Sequence, residues 1–311
     1  MKLTKYAGLF VLSLSLLASC GPTCEHDYYL EVIGEPTTTY KSGEHFSKEG
    51  IEVKLHCEKC GEVKTITNYE IDEHGDYLKS STEKVTLKYQ ECVYDIPVTV
   101  TFDYAFTGTI TCVGDSLTEG HNWPRESYPT FINDYLPDGS NAKVINCGKN
   151  GASFKTFGQY NPAYDTTTQY QNSLKEQPDI VTILLGTNDA TNWANEKDDF
   201  YKDYTDLIHL YQTHWEKEPQ IILLTSPATK NPNNFSIPND TIRDEVNPIQ
   251  RQVAEELDLP LIDLRQIFEE YEGGLDELVR PNDGVHFSLA AAKMVAELIA
   301  NEIVTVAENN L

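Results

Sequence analysis

Thr109-Ile-Thr-Cys-Val-Gly-Asp-Ser-Leu-Thr-Glu-Gly120 carries the densest structural signal in the chain. Thr109–Val113 is a short apolar, β-rich run, and Gly114-Asp115-Ser116 reads as a turn into a helix. A small residue just before a serine at such a turn exposes the hydroxyl and aims its backbone N–H at the same point. Further apolar runs occur at Val144–Cys147, Ile180–Leu185, Ile221–Thr225 and Leu261–Leu264. Helix-like stretches lie between or after them, notably Asp198–Trp215, Asp240–Leu257 and Ser288–Val306, with Ser288 as the expected N-cap of the last. Strands alternating with helices predict an α/β domain with a parallel sheet covered on both faces. Working residues of such sheets sit beyond the carboxyl ends of the strands.

Three more blocks occupy those positions. Asn146-Cys147-Gly148-Lys149-Asn150-Gly151-Ala152 comes after the second strand, where glycine lets a substrate approach the main chain and frees an N–H to donate. Gly186-Thr187-Asn188-Asp189 comes after the third and brings a carboxamide to the same rim. Asp283-Gly284-Val285-His286-Phe287-Ser288 precedes the last helix, at a spacing that lets a carboxylate reach imidazole Nδ1 and leaves Nε2 facing the serine.

With these four blocks in order from Thr109 to the C-terminus, the chain resembles the SGNH or GDSL hydrolases. The resemblance implies a flavodoxin-like three-layer α/β/α fold and ester hydrolysis through an acyl-enzyme. It assigns Ser116 as nucleophile, His286 as general base and then acid, and Asp283 as the group that fixes and stabilises the imidazole. The N–H groups of Ser116 and Gly151 and the side chain of Asn188 are the expected oxyanion hole, with Gly148 competing for the Gly151 role. Asp115 and Asp189 are expected to brace loops, and His121 to sit at the rim. No cofactor is implied, and without an HExxH or Asp-rich calcium loop no metal is expected. An ordinary imidazole, near pKa 6.5, would stop serving as base below about pH 6.

The substrate is less legible. Trp123, Tyr128, Phe154, Tyr160, Tyr164 and Trp193 fall in loops beyond strand ends, among Asn, Thr, Gln and Pro. Flat rings beside polar groups suit a sugar face better than a long acyl chain. Trp123 and Trp193 are therefore expected at the rim of a carbohydrate O-acetyl esterase. A lipid acylhydrolase is the first alternative, and a non-catalytic glycan-binding adhesin is the alternative from another class.

The N-terminal third has a different character. Lys2 and Lys5 precede an apolar run from Ala7 to Ala18, too short to span a bilayer. Leu17-Ala18-Ser19-Cys20 resembles a bacterial lipobox. That implies a signal peptide over 1–19, lipid on Cys20, a tether over 20–27 and an exported, membrane-anchored lipoprotein. Residues 28–105 read as short strands: Tyr28–Ile33, Ile51–Cys57, Val63–Ile71, Lys84–Tyr89 and Val93–Phe102. With Glu35-Pro-Thr-Thr-Thr-Tyr40, this segment resembles a bacterial Ig-like sandwich, serving as spacer or glycan-contacting module ahead of the hydrolase domain at 106–311. Cys24, Cys57, Cys60 and Cys92 could form disulfides, remain free thiols or bind zinc, whereas Cys112 and Cys147 lie in apolar strands and are expected to be buried and inert. The formal net charge of −25, with 49 acidic against 24 basic residues, leaves no electrostatic footprint for nucleic acid.

Overall fold

The computed structural model describes residues 27–75, 77–230 and 237–310. The stretch expected as a signal peptide, residues 1–19, lies outside the described residues, as do Cys20 and Cys24. The chain forms two compact units, one ending at Asp103 and one spanning Tyr104–Asn309.

The first unit contains β1 (Tyr28–Gly34), β2 (Thr39–Lys41), β3 (Ile51–Cys57), β4 (Val63–Ile66), β5 (Glu70–Asp72), β6 (Lys84–Tyr89), β7 (Cys92–Pro97) and β8 (Thr99–Thr101). Strands β1-β3-β4 form one antiparallel sheet and β5-β6-β7 another, while β2 and β8 pair in parallel. Leu30, Val53, Leu55, Val85, Leu87 and Ile96 belong to its buried core. Two stretches expected as single strands are split. Val63–Ile71 divides into β4 and β5, which join different sheets. Val93–Phe102 breaks after Pro97, which has no N–H to give the ladder. Beyond it Val98 N–H donates to Glu83 O and Thr99 N–H to Thr38 O, so the chain leaves β6 for β2. Among the described residues, no disulfide joins Cys57, Cys60 and Cys92 to one another.

The second unit is built on β9 (Thr109–Gly114), β10 (Lys143–Gly148), β11 (Ile180–Leu184), β12 (Gln220–Leu224) and β13 (Leu261–Ile262). Their order is β10-β9-β11-β12-β13, and every neighbouring pair is parallel. Side chains alternate across the sheet. Ile110, Cys112, Leu184, Ile222 and Leu224 face one core with Ala291, Val295 and Ile299 of the closing helix Leu289–Asn309. Val113, Val181, Ile183, Ile221 and Leu223 face a second core with Phe200, Tyr204 and Ile208 of the helix Phe200–Thr213, and with Val253. Burial on both faces is why these strands read as unbroken apolar runs. Ser288 caps the closing helix by accepting from Ala291 N–H at 3.1 Å.

The helix expected over Asp240–Leu257 is not uniform. A π-helical turn, Ile242–Val246, precedes the regular helix Asn247–Glu256. Pro248 cannot donate to the preceding turn, and the wider turn accommodates that loss. The last strand is also shorter than expected, because Asp263 caps the next helix by accepting from Gln266 N–H.

Register brings the loop blocks to one level. Gly148 of β10 and Leu184 of β11 are both partnered with Gly114 of β9. Three chains therefore leave the sheet side by side, at the carboxyl ends where an α/β site belongs. A Cβ at Gly114 would collide with Thr118 Oγ1 and the Leu184 carbonyl, so only glycine lets the chain turn there.

Candidate active site

Ser116 opens a short helix, Ser116–Glu119, directly after β9. Asp115 precedes it as N-cap and accepts from Leu117 N–H at 2.8 Å through Oδ1. As the first helical residue, Ser116 has an N–H without an intrahelical acceptor. His286 arrives from a turn 170 residues later and places Nε2 2.9 Å from Ser116 Oγ. Its Nδ1 lies 3.0 Å from Asp283 Oδ2. Asp283 Oδ1 accepts from the N–H groups of Val285 and His286, both at 2.9 Å, which locks the carboxylate's orientation.

Burial would raise the Asp283 carboxyl, but those two N–H groups and the imidazole outweigh it and hold its pKa below the usual range. His286 moves the other way. Burial of the ring, followed by the charge of His121 beside it, lowers its pKa to about 4, with Asp283 opposing and Arg280 adding to the fall. A general base works as neutral imidazole, so proton uptake removes activity only as pH falls through that value. The acid limb of kcat/KM is accordingly expected near pH 4, with little loss between pH 7 and 5. A profile of initial rates checks this, and a limb near 6.5 would mean that the ring is not shielded as described.

The oxyanion candidates sort by geometry. Gly148 N–H donates to Asn146 Oδ1 at 2.9 Å, and a Cβ there would strike the Glu119 backbone. Gly148 is thus a packing glycine against the Ser116–Glu119 helix. Gly151 N–H makes no hydrogen bond among the described residues, and its φ of +75° suits glycine. A Cβ at Gly151 would also collide with the Tyr160 carbonyl oxygen. Gly151→Ala should therefore displace the loop and lower kcat by about 10²-fold or more, the scale of losing one oxyanion donor. Steady-state kinetics beside a thermal melt would separate that loss from unfolding. Asn188 Nδ2 donates to Ala152 O at 2.9 Å and to Asp115 Oδ2 at 3.2 Å. Both amide hydrogens are engaged, so Asn188 ties the three loops together and could serve an oxyanion only by giving up the longer bond.

Asp189 Oδ1 accepts from Phe154 N–H at 2.7 Å. It is fully buried, and burial raises its pKa to about 8, as it raises that of Asp115 to about 7. Both carboxyls hold backbone and loop positions. Burial likewise pushes Cys112 up to about 12 and Cys147 up to about 11, which leaves little thiolate on either.

The loop aromatics depart from expectation. Tyr128 is 0% and Tyr164 2% exposed. Their hydroxyls bond inward, Tyr128 with Thr118 Oγ1 at 3.1 Å and Tyr164 to Cys147 O at 2.7 Å. Phe154 and Trp193 pack edge-on against Phe200, so Trp193 is a half-buried packing residue rather than a rim plate. Of the six rings, Trp123 at 56% and Tyr160 at 78% are exposed. The case for a sugar from loop aromatics shrinks to these two.

His121 does more than sit at the rim: its ring lies 3.9 Å from that of His286, centroid to centroid, within 6° of parallel. Arg280, which no sequence motif singles out, donates from Nη1 to His121 O, from Nη2 to Gly120 O and from Nε to Phe287 O. It clamps the segment after the nucleophile to the turn that carries the base. Among the described residues no group of three or more His, Cys, Asp or Glu could hold a metal ion, and no helix is long and apolar enough to cross a membrane.

The family model described as GDSL-like Lipase/Acylhydrolase matches residues 112–294. An acetylxylan esterase of Xylanibacter ruminicola is 29% identical over 216 residues, covering 62% of this chain. The chain spans 42% of that relative's length. Among solved structures, a carbohydrate acetylesterase from Sinorhizobium meliloti superposes with a TM-score of 0.50 at 17% identity, over 64% of this chain and 99% of that one. A lipase/acylhydrolase from Enterococcus faecalis gives 0.49 at 25% identity, over 63% and 95%.

Proposed function

The chain belongs to the GDSL-like lipase/acylhydrolase family, and from that premise we propose that it is a serine esterase that removes acetyl groups from carbohydrate. The observation that carries the chemistry is the hydrogen-bonded line from Ser116 Oγ through His286 to Asp283. Ser116 Oγ attacks the ester carbonyl while His286 Nε2 accepts its proton. The tetrahedral oxyanion is met by the N–H groups of Ser116 and Gly151, and by Asn188 Nδ2 as third donor once it releases Asp115 Oδ2. The imidazolium, stabilised by Asp283, protonates the departing sugar oxygen, which leaves as the free hydroxyl as the C–O ester bond breaks. Water, activated by the same imidazole, then releases acetate from Ser116.

Two observations support the carbohydrate reading. One is the similarity to the acetylxylan esterase. The other is the pair of exposed loop rings, Trp123 and Tyr160, flat faces of the kind that stack on a sugar. Acetate release from acetylated xylan, set beside hydrolysis of acetyl and long-chain p-nitrophenyl esters, tests the reading. Xylan deacetylation with a preference for the acetyl ester is the expected result, and a preference for the long chain would replace it with lipid acyl hydrolysis.

The lipobox at Cys20 supports a second part of the proposal, a lipid anchor holding the exported enzyme at a membrane. Residues 28–105 then form an Ig-like spacer or glycan-contacting module, a reading supported by two antiparallel sheets around one core.

A further inference from the structure

Three loops must hold still for the reaction proposed above: the nucleophile turn, the Asn150-Gly151 loop and the turn carrying His286. One side chain touches the last two and grows from the first. His121 lies five residues after Ser116, and its ring stacks on His286 at 3.9 Å. Its Nδ1 is 3.1 Å from Oδ1 of Asn150, the residue that precedes Gly151 in the chain. Asn150 is gripped from its other side as well, since its N–H donates to Glu119 Oε2 at 3.0 Å. The His121 backbone is itself secured, with its carbonyl accepting from Arg280 Nη1 at 2.7 Å. It takes up a φ of +26°, which histidine rarely adopts. Such a conformation persists only where the surroundings enforce it.

Resting on the esterase reading, we propose that His121 is a positioning residue for the reaction: its ring walls the outer face of His286, and its Nδ1 contact fixes the loop that presents Gly151. The wall has two physical effects. It keeps water from that face of the base, which preserves burial. It also sets a second ionisable imidazole parallel to the first, so that a positive charge on His121 opposes one on His286. The charged groups acting on the His286 ring are His121 from the nucleophile segment, and Asp283 and Arg280 from its own turn. Of these, His121 and Arg280 oppose protonation and Asp283 favours it, so removing His121 should make His286 easier to protonate.

Two variants separate the effects. His121→Phe keeps a flat ring over His286 but removes the charge and the Asn150 contact. His121→Ala removes all three. Turnover by the unaltered protein and its loss in Ser116→Ala are measured first, so failure of the esterase reading is recognised separately. With that established, kcat at neutral pH is expected to fall about 10- to 100-fold in both variants, the scale of a small misplacement at a reacting centre, with KM changed less. The acid limb of kcat/KM is expected to move to higher pH, modestly for His121→Phe and further for His121→Ala. A merely structural role would lower the yield of folded protein and leave the limb of the surviving activity where it was. An unshifted limb in both variants would overturn the proposal.

Discussion

Ser116→Ala is expected to lower kcat by about 10⁴-fold or more, with the protein still folded. Ser116 Oγ sits 2.9 Å from His286 Nε2 just beyond the carboxyl end of β9, and it is the hydroxyl on which the Asp283–His286 pair converges. Removing it leaves the oxyanion donors but no atom to form the acyl-enzyme. The loss should fall on kcat rather than KM. It should also be the same for acetyl esters of different alcohols, because the missing bond is to the acyl carbon. Stability should change little, since alanine leaves the Asp115 cap of the helix in place. Retained turnover in the purified variant would place the chemistry elsewhere.

Asp283→Asn is expected to cost about as much, on the order of 10⁴-fold, although it changes a single atom type. Asp283 Oδ1 already accepts from Val285 and His286 N–H, so the amide oxygen would keep that place. Its NH₂ would then face imidazole Nδ1, which would have to become an acceptor. The ring proton would shift to Nε2 and point at Ser116 Oγ, leaving no lone pair to receive the hydroxyl proton. A loss confined to kcat with unchanged melting temperature is the expected outcome, and full activity would show that the tautomer is not set by Asp283.

The sheet was legible chiefly because β9, β11 and β12 are buried on both faces and appear as apolar runs. The four loop blocks were legible because each sits where a strand ends or just before the closing helix, and strand register brings three of them to one level. Whatever depends on how loops fold back escaped. Tyr128 and Tyr164 carry polar tips that suit a wet rim, yet their hydroxyls find inward partners at Thr118 and Cys147. Trp193 turns under its loop to meet Phe200. His121 reaches His286 only through an unusual backbone angle held by Arg280, 159 residues along the chain. No local pattern announces such a pairing. The low pKa of His286 arises from the same packing and was equally out of reach. The π-helical turn before Pro248 had a sequence cause, but periodicity alone read through it.

A covalent intermediate on Ser116 is the centre of the proposed chemistry. Rapid mixing with p-nitrophenyl acetate, quenching in acid and mass measurement of the peptide containing Ser116 tests it most directly. A single added acetyl group is predicted on that peptide, absent from Ser116→Ala and gone after incubation in water. Turnover with no acyl adduct trapped under any quench, or an adduct on another residue that survives Ser116→Ala, would contradict it.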